Sequence, residues 1–258
     1  EAGVSAPPDW RSRRRVRRIA NVATIASICA VALFPIVWGL STSLKPANAI
    51  LAFPPQLFPS EPTMAHYRML VETGIGRPIL NSVVVSALTV ALCLLFGALA
   101  GYGLARLRFR GKTAVMFVVV AVMSIPLPSL LVPTFTFLAT INLINTLTGL
   151  VLLYTAYQLP MTVWILYGYF QTLPEALENA ARIDGYSRLA TLRKVVLPLS
   201  WPGLIAAGLF VLTFAWNDFV VAVAMNTSED VRTLPVAICH YLGFFGREWG
   251  PPTAAAIV

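Results

Sequence analysis

The chain has 258 residues, 57% of them hydrophobic and 12% charged, with a formal net charge of +8. That composition excludes an ordinary soluble domain and describes an all-α polytopic membrane protein. The positive charge is not a nucleic-acid signature, because six arginines between Arg11 and Arg18 directly precede the first apolar run, where basic residues fix orientation and meet anionic lipid headgroups.

Residues 1–18 therefore read as a basic N-terminal segment and 19–258 as a transmembrane domain. Apolar runs near 20 residues long are what a bilayer core of about 30 Å asks of a helix. They fall at 19–44, 79–105, 113–138, 147–171 and 202–225, and TAAAIV at 253–258 reads as the start of a sixth span, missing or truncated here. Cys29 and Cys93 lie inside these runs and read as small core residues. The 45–78 connection carries six prolines and is expected to fold over the first span as an ordered cap. Pro35, Pro126, Pro128, Pro133 and Pro160 stand within spans, and each removes a backbone donor and favours a kink.

Lys and Arg distribute unevenly between alternate connections, fourteen on the side of the N-terminus against five on the other. The positive-inside rule then places the N-terminus in the cytoplasm. It places the polar segment 173–198, LPEALENAARIDGYSRLATLRKVVLP, there too.

That segment interrupts the apolar pattern. Thr172, Pro174 and Glu175 form a capping-box start, and the helix is expected to stop at Gly185. Glu178 and Arg182 are spaced to pair at i, i+4, while Leu177, Ala180 and Ala181 make a small apolar stripe. A second helix is expected over 187–196, ended by Pro198 and Pro202. Acidic residues at 175, 178 and 184 disfavour a helix lying on anionic lipid.

Gly185, nine intervening residues and Val195-x-Leu197-Pro198 resemble the EAA loop of bacterial ABC importer permeases, E-A-A-x3-G-x9-I-x-L-P. Ala180, Ala181, Gly185, Leu197 and Pro198 match, Val195 replaces the isoleucine, and Asn179 stands where the family carries glutamate. The strings AARIDG (180–185) and FAWNDF (214–219) resemble the carbohydrate-uptake, maltose-type branch. The resemblance covers nearly the whole chain. It implies a type I importer permease fold with six spans, in the cytoplasmic membrane of a bacterium. It implies a second homologous permease, two ATP-binding subunits and an extracytoplasmic substrate-binding protein as partners. ATP and Mg2+ would sit on the ATP-binding subunits, with no cofactor held by this chain. The loop helix would enter a cleft on the ATPase through Glu178, Asn179, Ala180, Ala181, Arg182, Asp184 and Gly185, with Leu197 and Pro198 closing the motif. With the motif's glutamate replaced, Glu178 is the side chain nominated for the polar contact to the ATPase.

Trp216, Asn217 and Asp218 stand late in the fifth run, and an ionisable residue inside a span is a functional candidate by default. Two readings stay open: the pair Asn217 and Asp218 lines the solute path, or it bonds neighbouring helices. Gln158, Asn142 and Asn145 are weaker candidates of the same kind. Tyr241, Phe244, Phe245 and Trp249 lie among glycines in the 226–252 connection, either to meet a binding protein or a sugar face or to form an interfacial aromatic belt.

No phosphate-binding G-x-x-x-x-G-K-[ST] string, metal-ligand spacing or nucleophile–base grouping is present, so the chain is not expected to be an enzyme. The sugar importer subunit is the leading reading. Its alternatives are the same importer class moving a glycerol-phosphate-type solute, or an ion-coupled carrier, which calls for inverted repeats and several buried carboxylates.

Overall fold

The computed structural model describes residues 10–244 and 249–258, and its regular elements are all helices. In chain order they are α1 (Trp10–Ser43), α2 (Ala47–Ile50), α3 (Ala65–Glu72), α4 (Gly76–Arg106), α5 (Lys112–Met123), α6 (Leu127–Thr140) and α7 (Leu147–Thr172). Next come α8 (Glu175–Ile183) and α9 (Arg188–Thr191), which runs through a π turn (Leu192–Val196) into α10 (Leu197–Leu199). The remainder is α11 (Trp201–Asn217), α12 (Val220–Met225), α13 (Leu234–Phe244) and α14 (Gly250–Ile257).

Among the described residues, three helices are long and apolar enough to cross a membrane: residues Arg17–Ser43 of α1, α4 and α7. Counting each bent pair as one span brings the number to five. The run expected as a continuous third span is broken, with α5 and α6 meeting at 97°. The cause is local. Ser124 and Ile125 close α5 with i→i+3 bonds to Ala121 and Val122, and Pro126 then brings no N–H and disfavours helical backbone at the residue before it. Pro126 becomes the extended N-cap of α6, with Pro128 in its first turn. The fifth run is interrupted as well: α11 ends at Asn217, Asp218 is extended, and α12 restarts at Val220. Pro35, Pro133 and Pro160 lie inside continuous helices.

The chain divides into two compact units. In the first, residues to Thr73 and from His240, the apolar stretch of α1 is exposed, Cys29 included. The 45–78 connection folds onto the C-terminal end of α1. The Thr63 amide donates to the Leu44 carbonyl (2.8 Å), the Ser41 hydroxyl to Leu57, and the Ser43 and Tyr67 hydroxyls share a bond of 2.8 Å. His66 Nε2 pairs with the Lys45 carbonyl at 2.9 Å, and Gly250 at the start of α14 lies against that imidazole with no room for a β-carbon.

The second unit, Gly74–Cys239, is built on the crossing of α4 and α7, with α11 against α4. Gly97 and Gly101 form a small-xxx-small pair on α4. A β-carbon at Gly97 would collide with Thr162, and one at Gly101 would lie 3.1 Å from the Tyr167 backbone nitrogen. Such approach is how helices gain packing in lipid, where burying apolar area supplies little. Two apolar clusters flank the crossing. One gathers Val85, Leu150, Tyr154, Val221 and Met225; the other gathers Ala98, Tyr102, Leu166, Phe170, Leu192 and Val196. Cys93 is buried between α4 and α7, its thiol directed at the Thr155 carbonyl.

Candidate functional site

The polar segment folds as a helical hairpin, α8 followed by α9 and the π turn. Its entry differs from the expected capping box. Thr172 is the last residue of α7 and its hydroxyl donates back to the Tyr169 carbonyl at 2.7 Å, so it is not free to cap. Pro174 occupies the N-cap with no side-chain bond, and the acidic residues Glu175 and Glu178 stand in the first turn, where negative charge meets the positive end of the helix dipole.

The exit is as expected. Gly185 takes φ +88°, its amide donates to Arg182 (3.1 Å), and the Tyr186 amide donates to Ala181 (3.0 Å). These two bonds are the 5→2 and 6→1 pair of a Schellman turn. Ser187 then starts α9 by accepting from the Ala190 amide at 3.3 Å. Pro198 does not end this arm: it lies in the first turn of α10. The chain turns at Ser200, where Arg188–Leu199 and α11 meet at 81°.

Glu178 is the centre of the site. It is 8% exposed, and its carboxylate is held from two sides within the chain. Tyr102 donates its hydroxyl to Oε2 at 2.9 Å, and Arg106 donates Nε to Oε1 at 2.6 Å. Arg106 also donates to the Leu173 carbonyl at 2.7 Å and stands 3.8 Å from the Glu175 carboxylate. One guanidinium at the end of α4 thus ties together the C-cap of α7 and the body of α8. Charge-assisted bonds of this length are the strong class, and the arginine fork fixes direction as well as distance. The expected Glu178–Arg182 pair is not formed, since both carboxylate oxygens are already engaged.

The rest of α8 sorts by face. Ala181 is buried at 5% exposure, whereas Leu177, Asn179, Ala180, Arg182 and Asp184 are exposed, so the expected apolar stripe is split. Outward apolar surface comes instead from Ile183, 87% exposed, Leu189 at 66% and Leu177. A polar recess of about 110 Å³ lies at the root of the hairpin, between Arg106, Arg108, Glu178, Asn179, Arg182 and Arg188. Leu197 packs against the cluster around Tyr102 and Phe170, and Pro198 is exposed. Sequence reading missed Tyr102 and Arg106 as site residues. Arg106 had counted only towards orientation, and its partner stands 72 positions away.

The candidates late in the fifth run are close in sequence but differ in surroundings. Asp218 Oδ2 accepts from the Tyr154 hydroxyl (2.7 Å) and from the Val221 and Ala222 amides (3.1 Å each), so it caps α12 and ties it to α7. Asn217 is exposed and donates to the Thr213 carbonyl one turn back. Trp216 is partly buried, and Gln158 on α7 is buried. Asn142 and Asn145 both adopt left-handed backbone. The Asn145 side-chain oxygen accepts from the Thr227 amide (2.7 Å) and the Ser228 amide (3.1 Å), joining two connections. Of the aromatic set, Tyr241 lies in α13, buried, with its hydroxyl 2.7 Å from that of Thr73. Trp249 is half exposed. Phe245 and the Phe244 side chain lie outside the described residues.

Comparison with known proteins agrees with this architecture. Residues 93–241 match the family model described as the binding-protein-dependent transport system inner membrane component. The sulfoquinovosyl glycerol transport system permease protein SmoH of Agrobacterium fabrum is 40% identical over 88% of this chain and 80% of its own. The trehalose transport system permease protein SugB of Mycobacterium tuberculosis is 34% identical over 88% and 83%. The trehalose/maltose transport system permease protein MalG of Thermococcus litoralis is 33% identical over the same shares. In three dimensions a chain of a bacterial ABC transporter involved in the import of the acidic polysaccharide alginate superposes with a TM-score of 0.80, at 20% identity, covering 99% of this chain and 94% of that one. The fold is that of a type I ABC importer permease, and the chain belongs to the family of inner-membrane components of binding-protein-dependent transport systems.

Proposed function

We propose that the chain forms half of the path of an ATP-driven sugar importer and takes its drive through the 173–198 hairpin. The observation that carries the drive assignment is the hairpin itself: a nine-residue helix locked by a Schellman turn, braced by Arg106, and presenting exposed Leu177, Ile183 and Leu189. Its outward face suits a cleft on a soluble ATP-binding subunit, with Asn179, Ala180 and Arg182 on the surface that meets it. The Lys and Arg asymmetry supports a cytoplasmic N-terminus and a cytoplasmic hairpin. The complex then holds a second permease, two ATP-binding subunits carrying ATP and Mg2+, and an extracytoplasmic binding protein that delivers the solute. Hydrolysis belongs to the ATP-binding subunits.

A sugar or oligosaccharide is the solute class favoured by the relatives, whose names speak of trehalose, maltose and sulfoquinovosyl glycerol. A glycerol-linked sugar is a second reading, favoured by the 40% identity to the sulfoquinovosyl glycerol permease. Among the described residues the three long helices and the two broken spans carry no acidic side chain, and Asp218, directly after α11, has its carboxylate engaged within the fold. That speaks against an ion-coupled carrier. The test is uptake by proteoliposomes holding the complete complex, with labelled trehalose, maltose and a glycosyl glycerol offered beside binding protein. Uptake of one of them only with ATP enclosed supports the reading. Uptake driven by an ion gradient without ATP contradicts it.

A further inference from the structure

We propose that Tyr102, Arg106 and Glu178 form a transmission joint that makes the docking hairpin move as one piece with α4 and α7. The inference rests on the docking assignment above and adds to it the residues that carry the motion inward.

α8 is joined to the rest of the chain by two connections. On one side it hangs from α7 through Leu173 and Pro174, both extended; on the other it turns at Gly185, the residue type with the softest backbone. A push on a helix held only by these two links would swivel it about them. The lateral tie removes that freedom. Arg106, the last residue of α4, binds Glu178 in the middle of α8 and the Leu173 carbonyl in the link itself. Tyr102, one turn earlier on α4, holds the other carboxylate oxygen, and its ring meets Phe170 of α7 edge-on at 6.1 Å. Leu192 and Val196 of the π turn pack into the same cluster, so the returning arm of the hairpin is seated there too. The side chains of Arg106 and Glu178 are each 10% exposed, which removes them from the solvent screening that weakens surface pairs. Glu178 is thereby committed inside the chain. The residue it leaves at the outward surface is the neighbouring Asn179.

Arg106 and Glu178 are thus positioning residues for transport: they touch neither solute nor nucleotide. The test uses the complete complex, with three readouts: retention of the ATP-binding subunit on purification, ATP hydrolysis stimulated by loaded binding protein, and solute imported per ATP hydrolysed. Glu178→Gln and Arg106→Lys keep size and remove the charge match or the fork geometry. They are expected to retain the ATP-binding subunit while transport per ATP falls by about tenfold, with Tyr102→Phe lowering it by about twofold. The paired exchange Arg106→Glu with Glu178→Arg is expected to recover part of what either change loses alone. A merely structural role would lower the amount of complex and leave transport per ATP unchanged, which overturns the proposal. Loss of the ATP-binding subunit from the Glu178→Gln complex also overturns it, because Glu178 would then be the partner's contact. An unaltered chain that retains no ATP-binding subunit sinks the docking assignment, and the joint with it.

Discussion

Gly185 and Asp218 show how single backbone positions are settled by what surrounds them. At φ +88° a β-carbon is disfavoured by roughly 1–2 kcal/mol. Gly185→Ala is therefore expected to lower uptake severalfold, and Gly185→Asp, which adds charge beside the docking face, to abolish it while the chain still reaches the membrane. Uptake assays with membrane-level controls check both. Asp218 caps α12 through two amides and holds Tyr154. Losing a cap of this kind costs about 1 kcal/mol, so Asp218→Ala, which removes the accepting oxygen, is expected to lower the thermal midpoint of the purified complex. Its effect combined with Tyr154→Phe is expected to be less than additive. Weakened solute affinity at an unchanged midpoint would place Asp218 in the path instead. At this scale the sequence disclosed the local features. Gly185 was legible because a helix stop is written in adjacent residues. The burial of Glu178 was not, because Arg106 is 72 positions distant and i, i+4 spacing offered Arg182 as a nearer partner.

Apolar run length locates helices but carries no direction. α5 and α6 make one unbroken apolar stretch in sequence yet cross at 97°, and only Pro126 marks the corner. Proline alone does not predict a break: Pro160 sits inside α7 and Pro35 inside α1 with the helix continuing on both sides. What decides is whether neighbouring bonds close before the proline, as those of Ser124 and Ile125 do. The α4–α7 crossing has a sequence signal that is easily passed over, the Gly97-x-x-x-Gly101 pair. Gly101→Leu is expected to force the helices apart at Leu166 and Tyr167. Overpacking of this sort costs about 1–3 kcal/mol, read as a lowered midpoint and a smaller yield of assembled complex. Gly103→Ala, two positions on, adds a β-carbon that meets no atom nearer than 3.9 Å and is the control, expected not to lower the midpoint.

For the molecule as a whole, composition and charge asymmetry identified a membrane protein with a polar hairpin between apolar spans, and the family match from 93 to 241 covers that hairpin. The proposed drive depends on one contact, the outward face of α8 against an ATP-binding subunit. Ile183 is the residue to use, being 87% exposed and free of the Glu178 brace. In the complete complex, Ile183→Cys is labelled with a short thiol-reactive photocrosslinker and irradiated, and the crosslinked species is identified by mass spectrometry, with the unaltered chain and its free Cys29, Cys93 and Cys239 as the control. The account predicts a crosslink to the ATP-binding subunit whose yield changes when ATP binds. A crosslink to lipid-facing partners alone, or none to that subunit in any nucleotide state, would contradict it.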